Sequence, residues 1–334
     1  MTPDNPLLRR VSEPRALSDI GFAPHTPLGG GREFDAIRRM IERWGPRARR
    51  IGDDAAVLEG PGDKTVVSVD TSVENVHFRR GWITPGEIGY RSAAAALSDL
   101  AAMGAQPTGM LAALTVPDDW RAMLDEIADG IGDAAVACEA PILGGDLSLG
   151  DRLSLTFTVL GAANKPLLRS GAKAGDMVYM TGTVGRSLSA LRAFESGVEP
   201  LAAARRRFAH PEPRIREARW LSFAGATAAV DISDGLVADL AHIAAASRVE
   251  ISIDLERIRT DAGLSLLDAA SSGEEYEILC TSPSELDVPE FERLFGIDLT
   301  CIGTVGGGEA ALRVFFQGDE IEPPTGYLHF TDEL

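Results

Sequence analysis

The sequence predicts an α+β protein of two domains, each with a mixed sheet covered by helices. A chain of 334 residues is too long for one ordinary hydrophobic core, whereas its hydrophobic fraction of 45% and charged fraction of 25% are typical of globular proteins. Segments with strand and helix patterns are mixed in both halves without strict alternation, which favours α+β or mixed α/β over a doubly wound sheet. A small-residue stretch from Ala162 to Gly175 separates the halves.

These observations predict three regions. A Pro- and Gly-rich extension covers residues 1–30, and we expect it to be flexible. An N-terminal domain covers residues 31–162, and a C-terminal domain covers residues 163–334. The extension contains no apolar segment long enough for a signal peptide or a membrane span.

The charge balance excludes some classes of partner. The formal net charge is −18, and both nucleic acid and an anionic membrane surface repel such a protein unless it carries a local basic patch. Cys138, Cys280 and Cys301 are too few and too widely spaced for a disulfide framework or a paired-cysteine zinc site. We therefore expect a cytoplasmic protein that binds neither nucleic acid nor membrane.

The N-terminal half is predicted to fold around one apolar helix. An amphipathic helix over Glu33–Trp44 precedes strands over Ile51–Leu58 and Thr65–Val73, the apolar helix, a strand over Leu111–Val116, a helix over 118–138 and a strand over Arg152–Gly161. Residues 140–150 are predicted to be a strand that runs into a turn. Its glycine pair lets the backbone approach another group closely beside Asp146.

The C-terminal half is predicted to form a second sheet. Strands are expected over 176–181, 228–232, 249–255, 275–282, 300–306 and 311–316, with helices over 186–194, 211–223, 235–247, 262–270 and 289–295. Asp231, Ser233 and Asp234 lie where a strand gives way to a long helix. Such junctions commonly bind anions and metals.

Asp99 is the single formal charge in a run from Ser92 to Pro117 that is otherwise rich in Ala, Leu and Met. These residues favour a helix that ends at Gly104, so Asp99 lies in its last turns, where the helix dipole disfavours a carboxylate. Burial of an unpaired carboxylate costs several kcal/mol, and no Lys or Arg lies within a helical turn. Either Asp99 faces water or a metal ion binds it.

Further acidic residues could complete such a metal site. Each lies beside Gly, Ser or Asp and next to an apolar element, and together they are Asp54, Asp70, Asp99, Asp146, Asp231 and Asp234. Oxygen ligands from several segments suit Mg²⁺, whereas zinc would require His and Cys ligands. Taken singly, each Asp is more simply interpreted as a turn former or a helix cap, and only the set as a whole favours a metal site.

Two other stretches have competing interpretations. GTVGRS, at Gly182–Ser187, follows a strand and opens a helix, but it lacks the Lys and the outer Gly of a Walker A loop, so we expect a tight turn. SSGEEYEIL contains Glu274, Glu275 and Glu277, which could form either a solvated turn or part of a site. His77 is isolated, and a structural role is the simpler interpretation.

Several motifs, taken together, resemble those of the thiamine-monophosphate kinases. They are IGDDAAVL, SVDTSVENVHF, LSDLAAMGAQP, GGDLS, RSGAKAGD, DISDGLVADLAHI, SSGEEYEIL and GYLHF, and they span about 31–330. GDDAAV and GGD alone are also found in the wider aminoimidazole-ribonucleotide synthetase-like superfamily. The resemblance implies the two-domain fold of that superfamily, a homodimer built through the N-terminal domains, and ATP- and Mg²⁺-dependent phosphorylation of thiamine monophosphate to thiamine diphosphate without a P-loop.

The resemblance also implies roles for individual residues. Several Mg²⁺ ions would be bound by Asp54, Ser68, Val69, Asp70, Asp99, Asp146, Asp231 and Asp234. ATP would contact Gly145, Asp146, Arg169 and Ser233, and thiamine monophosphate would contact His77, Glu274 and Tyr327. The catalytic carboxylates would be Asp99, Asp70 and Asp146. The chain departs from the usual family motifs at Val69, Leu147, Ser272, Glu275 and Leu328, the last three of which we place on the substrate side.

The implied acceptor is a phosphate monoester, which is largely dianionic near neutral pH, so direct in-line transfer needs no general base. Two alternatives remain open at this point. The chain could be a related ATP-dependent enzyme that acts on another small acceptor, or a catalytically silent protein that binds thiamine phosphate or a nucleotide.

Overall fold

A computed structural model describes residues 51–58, 63–261 and 263–326, together with the single residues 27, 29, 30, 35 and 38. Nearly all of the expected extension over 1–30 lies outside these described residues, as do Tyr327 and Leu328. The predicted helix over Glu33–Trp44 is described only at Asp35 and Arg38, which are both helical.

The N-terminal half forms a sheet with helices on one face. Its elements are β1 (Ala56–Leu58), β2 (Lys64–Val73), α1 (Pro85–Ala102), β3 (Gln106–Val116), a 3-10 helix (Asp118–Met123), α2 (Leu124–Ala137), β4 (Ile142–Leu149) and β5 (Ser154–Ala163). The strand order is β1-β2-β5-β3-β4. The β3–β4 pair is parallel, and the other pairs are antiparallel.

Among the described residues, helices cover one face of this sheet and leave the other face open. Along β5, the buried residues Leu155, Phe157 and Val159 alternate with partly exposed ones, as expected for a strand covered on one side. The covering helix α1 packs on β2 and β5, and α2 packs on α1. On the opposite face, Val69 and Leu111 are 63% and 40% exposed.

The C-terminal half contains the larger described sheet. Its elements are β6 (Met177–Thr181), α3 (Arg186–Glu195), α4 (Ala202–Ala209), α5 (Ile215–Phe223), β7 (Ala228–Asp231), α6 (Leu236–Ser247), β8 (Glu250–Asp254), α7 (Leu266–Ala270), β9 (Ile278–Ser282), α8 (Val288–Phe295), β10 (Leu299–Gly306), β11 (Ala311–Phe316) and β12 (Asp319–Ile321). The strand order is β12-β11-β8-β10-β6-β9-β7, with only β11 and β8 parallel. The predicted α+β class is confirmed.

Helix α1 joins the two halves. A capping box starts it, in which the Thr84 side chain accepts from the Glu87 backbone and the Glu87 carboxylate accepts from the Thr84 backbone. Glu87 also binds Arg205 of α4 at 2.6 and 2.9 Å, and Ser98 donates to Asp231 of β7. α1 therefore packs on the N-terminal sheet and also contacts the C-terminal half. No described helix is long and apolar enough to cross a membrane.

Among the predicted boundaries that differ from the structure, two concern candidate site residues. Gly145 and Asp146 lie within β4 rather than in a turn, and a Cβ atom at Gly145 would lie 1.8 Å from the Ala112 carbonyl oxygen. The glycine is therefore required by close strand pairing. In the C-terminal half, β9 begins at Ile278 rather than at Glu275, because the positive φ of 55° at Tyr276 interrupts the extended backbone just before it.

Candidate active site

Three carboxylates from distant parts of the chain meet beside the C-terminal end of α1. Asp54 precedes β1, Asp99 lies in the last turn of α1, and Asp231 ends β7. One oxygen from each lies within 4.8 Å of the others. The isolated Asp99 carboxylate of the sequence is thus the central member of a cluster that draws on both sheets.

Serine hydroxyls orient this cluster. Ser68 Oγ lies 2.5 Å from Asp99 Oδ2 and 3.0 Å from the Asp54 carbonyl oxygen. Ser98 Oγ donates to Asp231 Oδ2 at 2.5 Å. Because Ser98 and Asp99 are adjacent in α1, one helical turn positions carboxylates from both halves of the chain.

The electrostatics of the cluster favour a bound cation. Burial raises the pKa of Asp99 well above its usual value, and the negative charges of Asp231, Asp54 and Asp70 raise it further. Burial and the Asp54 charge together raise the pKa of Asp231 to about 7. A hard divalent cation would relieve this repulsion, and the all-oxygen donor set fits Mg²⁺.

Arg169 supplies one positive charge at the edge of the cluster. Its Nε and Nη2 donate to the two carboxylate oxygens of Asp54 at 3.0 and 2.6 Å, and its backbone N–H donates to Asp53 Oδ1 at 2.8 Å. Although burial acts to lower the pKa of Arg169, Asp54 raises it above its ordinary value. The bidentate pair fixes the guanidinium between the two halves of the chain.

A second acidic group holds the loop between β7 and α6. Asp239 Oδ2 accepts from the backbone N–H groups of Ser233, Asp234 and Gly235 at 3.0, 3.1 and 3.0 Å. Asp234, Asp239 and His242 also bring ligand atoms within 4.8 Å of one another. Burial and the Asp234 charge raise the pKa of Asp239 well above its ordinary value, and burial lowers that of His242 to about 4.

Sequence analysis missed Asp239 and His242, although a signal was present. Asp239 stands four residues after Gly235, and His242 stands three residues later. In a helix that begins just after Gly235, both side chains lie on the face near its first turns.

His77 and Glu274, the described residues of the expected acceptor side, both contact Arg91, two turns before Asp99 in α1. His77 Nδ1 accepts from the Val73 backbone N–H at 3.0 Å, so the neutral ring carries its proton on Nε2. The Glu274 carboxylate pairs with Arg91 of α1. Glu274 and Tyr276 have positive φ angles of 56° and 55°, an uncommon conformation outside glycine that often marks functional sites.

Strand β2 presents its predicted ligands on different faces. Ser68 and Asp70 pair with Val159 and Phe157 of β5, whose side chains are buried under α1, so both face the carboxylate cluster. Val69 points to the open face. A metal contact from Val69 would therefore have to use its backbone.

Asp146 faces away from the cluster. It pairs with Ala113 of β3, which in turn pairs with Thr156 of β5. Thr156 pairs with Thr71, and the two threonine hydroxyls lie 3.0 Å apart on the open face. Asp146 therefore shares the open face, and the same protomer does not bring it to the three clustered carboxylates.

Of the two interpretations left open for SSGEEYEIL, a solvated turn is wrong for two of its acids. Glu275 and Glu277 are fully buried. Glu275 Oε1 accepts from the Gly185 and Ser187 backbones and from the Ser272 hydroxyl. GTVGRS is thus a tight turn whose N–H groups bind a carboxylate of this chain rather than a phosphate.

Ser272 and Glu275, two of the departures from the family pattern, contact each other in this buried cap at 2.6 Å. Our placement of these two residues on the substrate side is therefore wrong. Glu277 has a related structural role, since its carboxylate binds Arg207 at 2.7 Å and Arg214 at 2.6 and 2.8 Å.

Comparison with known families agrees with this architecture. The AIR synthase related protein N-terminal domain matches residues 52–163, and the C-terminal domain of the same family matches residues 173–314. The thiamine-monophosphate kinase of Escherichia coli is 36% identical over 328 residues, covering 89% of this chain and 98% of the relative. That of Mycobacterium tuberculosis is 36% identical over 235 residues, covering 69% and 71%.

Solved structures extend the similarity to three dimensions. The structure described as AaThiL complexed with AMPPCP and TMP has a TM-score of 0.79 and 30% identity, covering 90% of this chain and 97% of that one. A thiamine-monophosphate kinase from Stenotrophomonas maltophilia has a TM-score of 0.71 and 32% identity, covering 87% and 98%. With its fold, carboxylate cluster and relatives in agreement, the chain belongs to the thiamine-monophosphate kinase family of enzymes.

Proposed function

We propose that this protein transfers the γ-phosphoryl group of ATP to thiamine monophosphate and forms thiamine diphosphate. The observation that carries the proposal is the cluster of Asp54, Asp99 and Asp231, assembled from both halves of the chain. The relatives named as thiamine-monophosphate kinases, and the similar structure with AMPPCP and TMP, supply the identity of the two substrates.

The clustered carboxylates, with Ser68 and Asp70, would hold Mg²⁺ ions between the two phosphate-bearing substrates. Bound Mg²⁺ neutralises phosphate charge and aligns the oxygens of an in-line displacement. The chain needs such cations because its net charge is −18 and would otherwise repel both substrates. Asp234 lies in the loop that Asp239 holds and would add a further carboxylate to this site.

The protein's own residues then act mainly by orientation. Ser233 and Arg169 approach the nucleotide side, the first from the loop before α6 and the second from the segment before β6. His77 and Glu274 approach the acceptor side. Since an acceptor phosphate is already anionic, His77 is a positioning group rather than a base, and direct transfer requires no phosphoenzyme.

A homodimer would complete the site. Within one protomer, β5 and β3 separate β2 from β4, which places Asp70 and Asp146 about 14 Å apart at ordinary strand spacing. β1 pairs with β2 only at Thr65–Val67, so among the described residues no strand covers the rest of that edge. β4 is likewise an edge strand and is exposed along its whole length.

Pairing the β4 edge of one protomer with the β2 edge of the other would close both sheets and cover the open apolar face. It would also place Asp146 of the partner subunit beside the strand that carries Asp70. Asp146 and Asp70 lie on opposite faces of their strands, so the Asp146 carboxylate would reach the partner's site around the edge of β2. We propose that Gly145 and Asp146 serve the partner's nucleotide site there.

The structure weakens the case for an acceptor other than thiamine monophosphate, which rested on departures from the family motifs. Ser272 and Glu275 support each other in a buried cap and do not line the acceptor side. The remaining departures at Leu147 and Val69 lie on the sheet strands, and Leu328 lies outside the described residues.

The direct test is to incubate the purified protein with Mg-ATP and thiamine monophosphate and to separate the products by chromatography. We expect thiamine diphosphate and ADP in equal amounts, with neither formed when Mg²⁺ is chelated. Equal ADP release without thiamine monophosphate would indicate another acceptor. Calorimetric binding of both ligands with no product would identify a silent binding protein.

A further inference from the structure

Arg91 is a buried cation that the site residues considered so far do not include. Its side chain is only 2% exposed, and it lies in α1 two turns before Asp99. Burying a charge is costly unless it is paired and hydrogen-bonded, so every partner of Arg91 is informative.

The partners of Arg91 come from three separate segments. Nη1 donates to the Phe208 carbonyl oxygen at 2.5 Å, and Nη2 donates to the His77 carbonyl oxygen at 3.3 Å. Nη2 also donates to Glu274 Oε2. The guanidinium carbon lies 4.0 Å from the centre of the Phe208 ring, which packs the planar group from one side.

Two of these contacts hold the described residues of the expected acceptor side. His77 is fixed through its backbone, while its ring is fixed independently through Val73. Glu274 is held through its carboxylate at a backbone position with φ of 56°. One rigid guanidinium therefore sets the separation between a residue of the N-terminal half and a residue of the C-terminal half.

We propose that Arg91 is the positioning residue of the acceptor site, which sets the affinity for thiamine monophosphate by fixing His77 and Glu274 relative to each other. The inference rests on the proposed function for the identity of the acceptor. Arg91 contacts His77 and Glu274 directly. It reaches the expected nucleotide residue Ser233 only through the Glu274 backbone, whose N–H donates to the Ser233 carbonyl oxygen at 2.7 Å, so we expect it to affect the acceptor more than the nucleotide.

The test compares Arg91→Lys and Arg91→Met with Arg205→Lys as a matched control. Arg205 also links α1 to the C-terminal half, through Glu87, but it contacts neither His77 nor Glu274. Lysine keeps the charge of Arg91 and loses the planar fork. We expect Arg91→Lys to raise the KM for thiamine monophosphate about tenfold or more, with the KM for ATP unchanged within about twofold.

Two further measurements separate positioning from folding. Calorimetric titration with thiamine monophosphate alone should show the same loss of affinity in Arg91→Lys, whether or not turnover occurs. Arg91→Lys should also lower the affinity for thiamine monophosphate little further in a Glu274→Gln background, since both changes break the same contact between Arg91 and Glu274. Thermal unfolding identifies any variant whose losses follow from a damaged fold.

The outcomes are distinct. If the wild-type protein binds thiamine monophosphate without phosphorylating it, the proposed function fails and the titration still tests Arg91. Three results would each overturn the positioning role. The first is an equal increase in the KM for both substrates, and the second is the same effect in Arg205→Lys. The third is an unchanged affinity for thiamine monophosphate in both Arg91 variants.

Discussion

We expect Asp99 to have opposite effects on activity and on the stability of the metal-free protein. Its carboxylate is buried beside Asp231, Asp54 and Asp70, which hold its pKa well above the ordinary value. Asp99→Asn removes a repelled charge, so we expect the variant to lose Mg²⁺-dependent ADP formation yet to melt at a higher temperature than wild type in EDTA.

A second buried carboxylate provides the control for Asp99. Asp176 accepts from the Lys173 backbone at 3.0 Å and from Thr227 Oγ1 at 2.6 Å, away from the cluster. Asp176→Asn should therefore lower the melting temperature, because it weakens satisfied hydrogen bonds. Near-wild-type turnover of Asp99→Asn would contradict its central role.

Glu275 should make stability depend on pH. Burial raises its pKa to about 7, against an ordinary value of 4.5. Between these values the folded protein retains a proton that the unfolded chain has lost, so this residue's contribution to the free energy of unfolding falls as pH rises from about 4.5 through about 7. Urea denaturation of Glu275→Gln across this range should show a flatter profile than wild type.

An exposed acid gives the comparison for Glu275. Glu256→Gln changes the same kind of group on the surface and should leave the pH profile as it is in wild type. If Glu275→Gln keeps the wild-type slope, another group is responsible for it.

At the residue scale, the local sequence predicts candidate site carboxylates but not the distant residues that contact the site. Asp99 was found because it is isolated in an apolar run, which needs no knowledge of the fold. Arg91 was missed because its partners Phe208 and Glu274 are 117 and 183 residues away. The sequence does not decide whether the acids in SSGEEYEIL form a solvated turn or part of a site, because their exposure to solvent depends on what packs over them.

At the scale of elements, the strand-to-helix junction at β7–α6 depends on one acceptor oxygen. Asp239 Oδ2 accepts hydrogen bonds from three backbone N–H groups of the loop that carries Ser233 and Asp234. Asp239→Asn replaces charge-assisted hydrogen bonds with weaker ones, and we expect the KM for ATP to rise about tenfold. Steady-state kinetics with each substrate varied in turn will measure this.

The matched change is at Asp287, which caps α8 by accepting from the Glu290 backbone at 3.0 Å. Asp287→Asn weakens a cap that is not part of the site, so it should affect stability slightly and leave both KM values unchanged. An effect of Asp239→Asn on melting temperature alone would show that its cap is merely structural.

The sequence predicts a helix or strand correctly wherever a single hydrophobic repeat continues along the segment. α1 and the alternating strand β5 were predicted because each has a continuous pattern over ten or more residues. α4 was not predicted, because its eight residues include three consecutive arginines whose burial depends on the rest of the fold. For β4 the sequence predicts a strand that runs into a turn, whereas the strand continues to Leu149, because close strand pairing and tight turning both require glycine.

At the scale of the whole molecule, the proposed dimer would form through the edges of the N-terminal sheet and cover its open face. Leu111 lies on this face and is 40% exposed in the single chain. Leu111→Glu would place a charge in the proposed dimer interface, and we expect the protein to elute as a monomer of 35.5 kDa rather than a dimer. Val136→Glu, at a 79% exposed position on α2, is the control that should leave the dimer intact.

The dimer also predicts complementation between inactive variants. If Asp146 serves the partner's site, a heterodimer of Asp99→Asn with Asp146→Asn has one site that lacks both carboxylates and one that lacks neither. Mixing and reannealing equal amounts should then restore about a quarter of wild-type activity, since half the dimers are heterodimers with one intact site. If both carboxylates act in the same protomer, every site in the mixture is defective and no activity returns. Adding Leu111→Glu to both variants should abolish the recovery, because it would then depend on the sheet interface that closes β2 against β4.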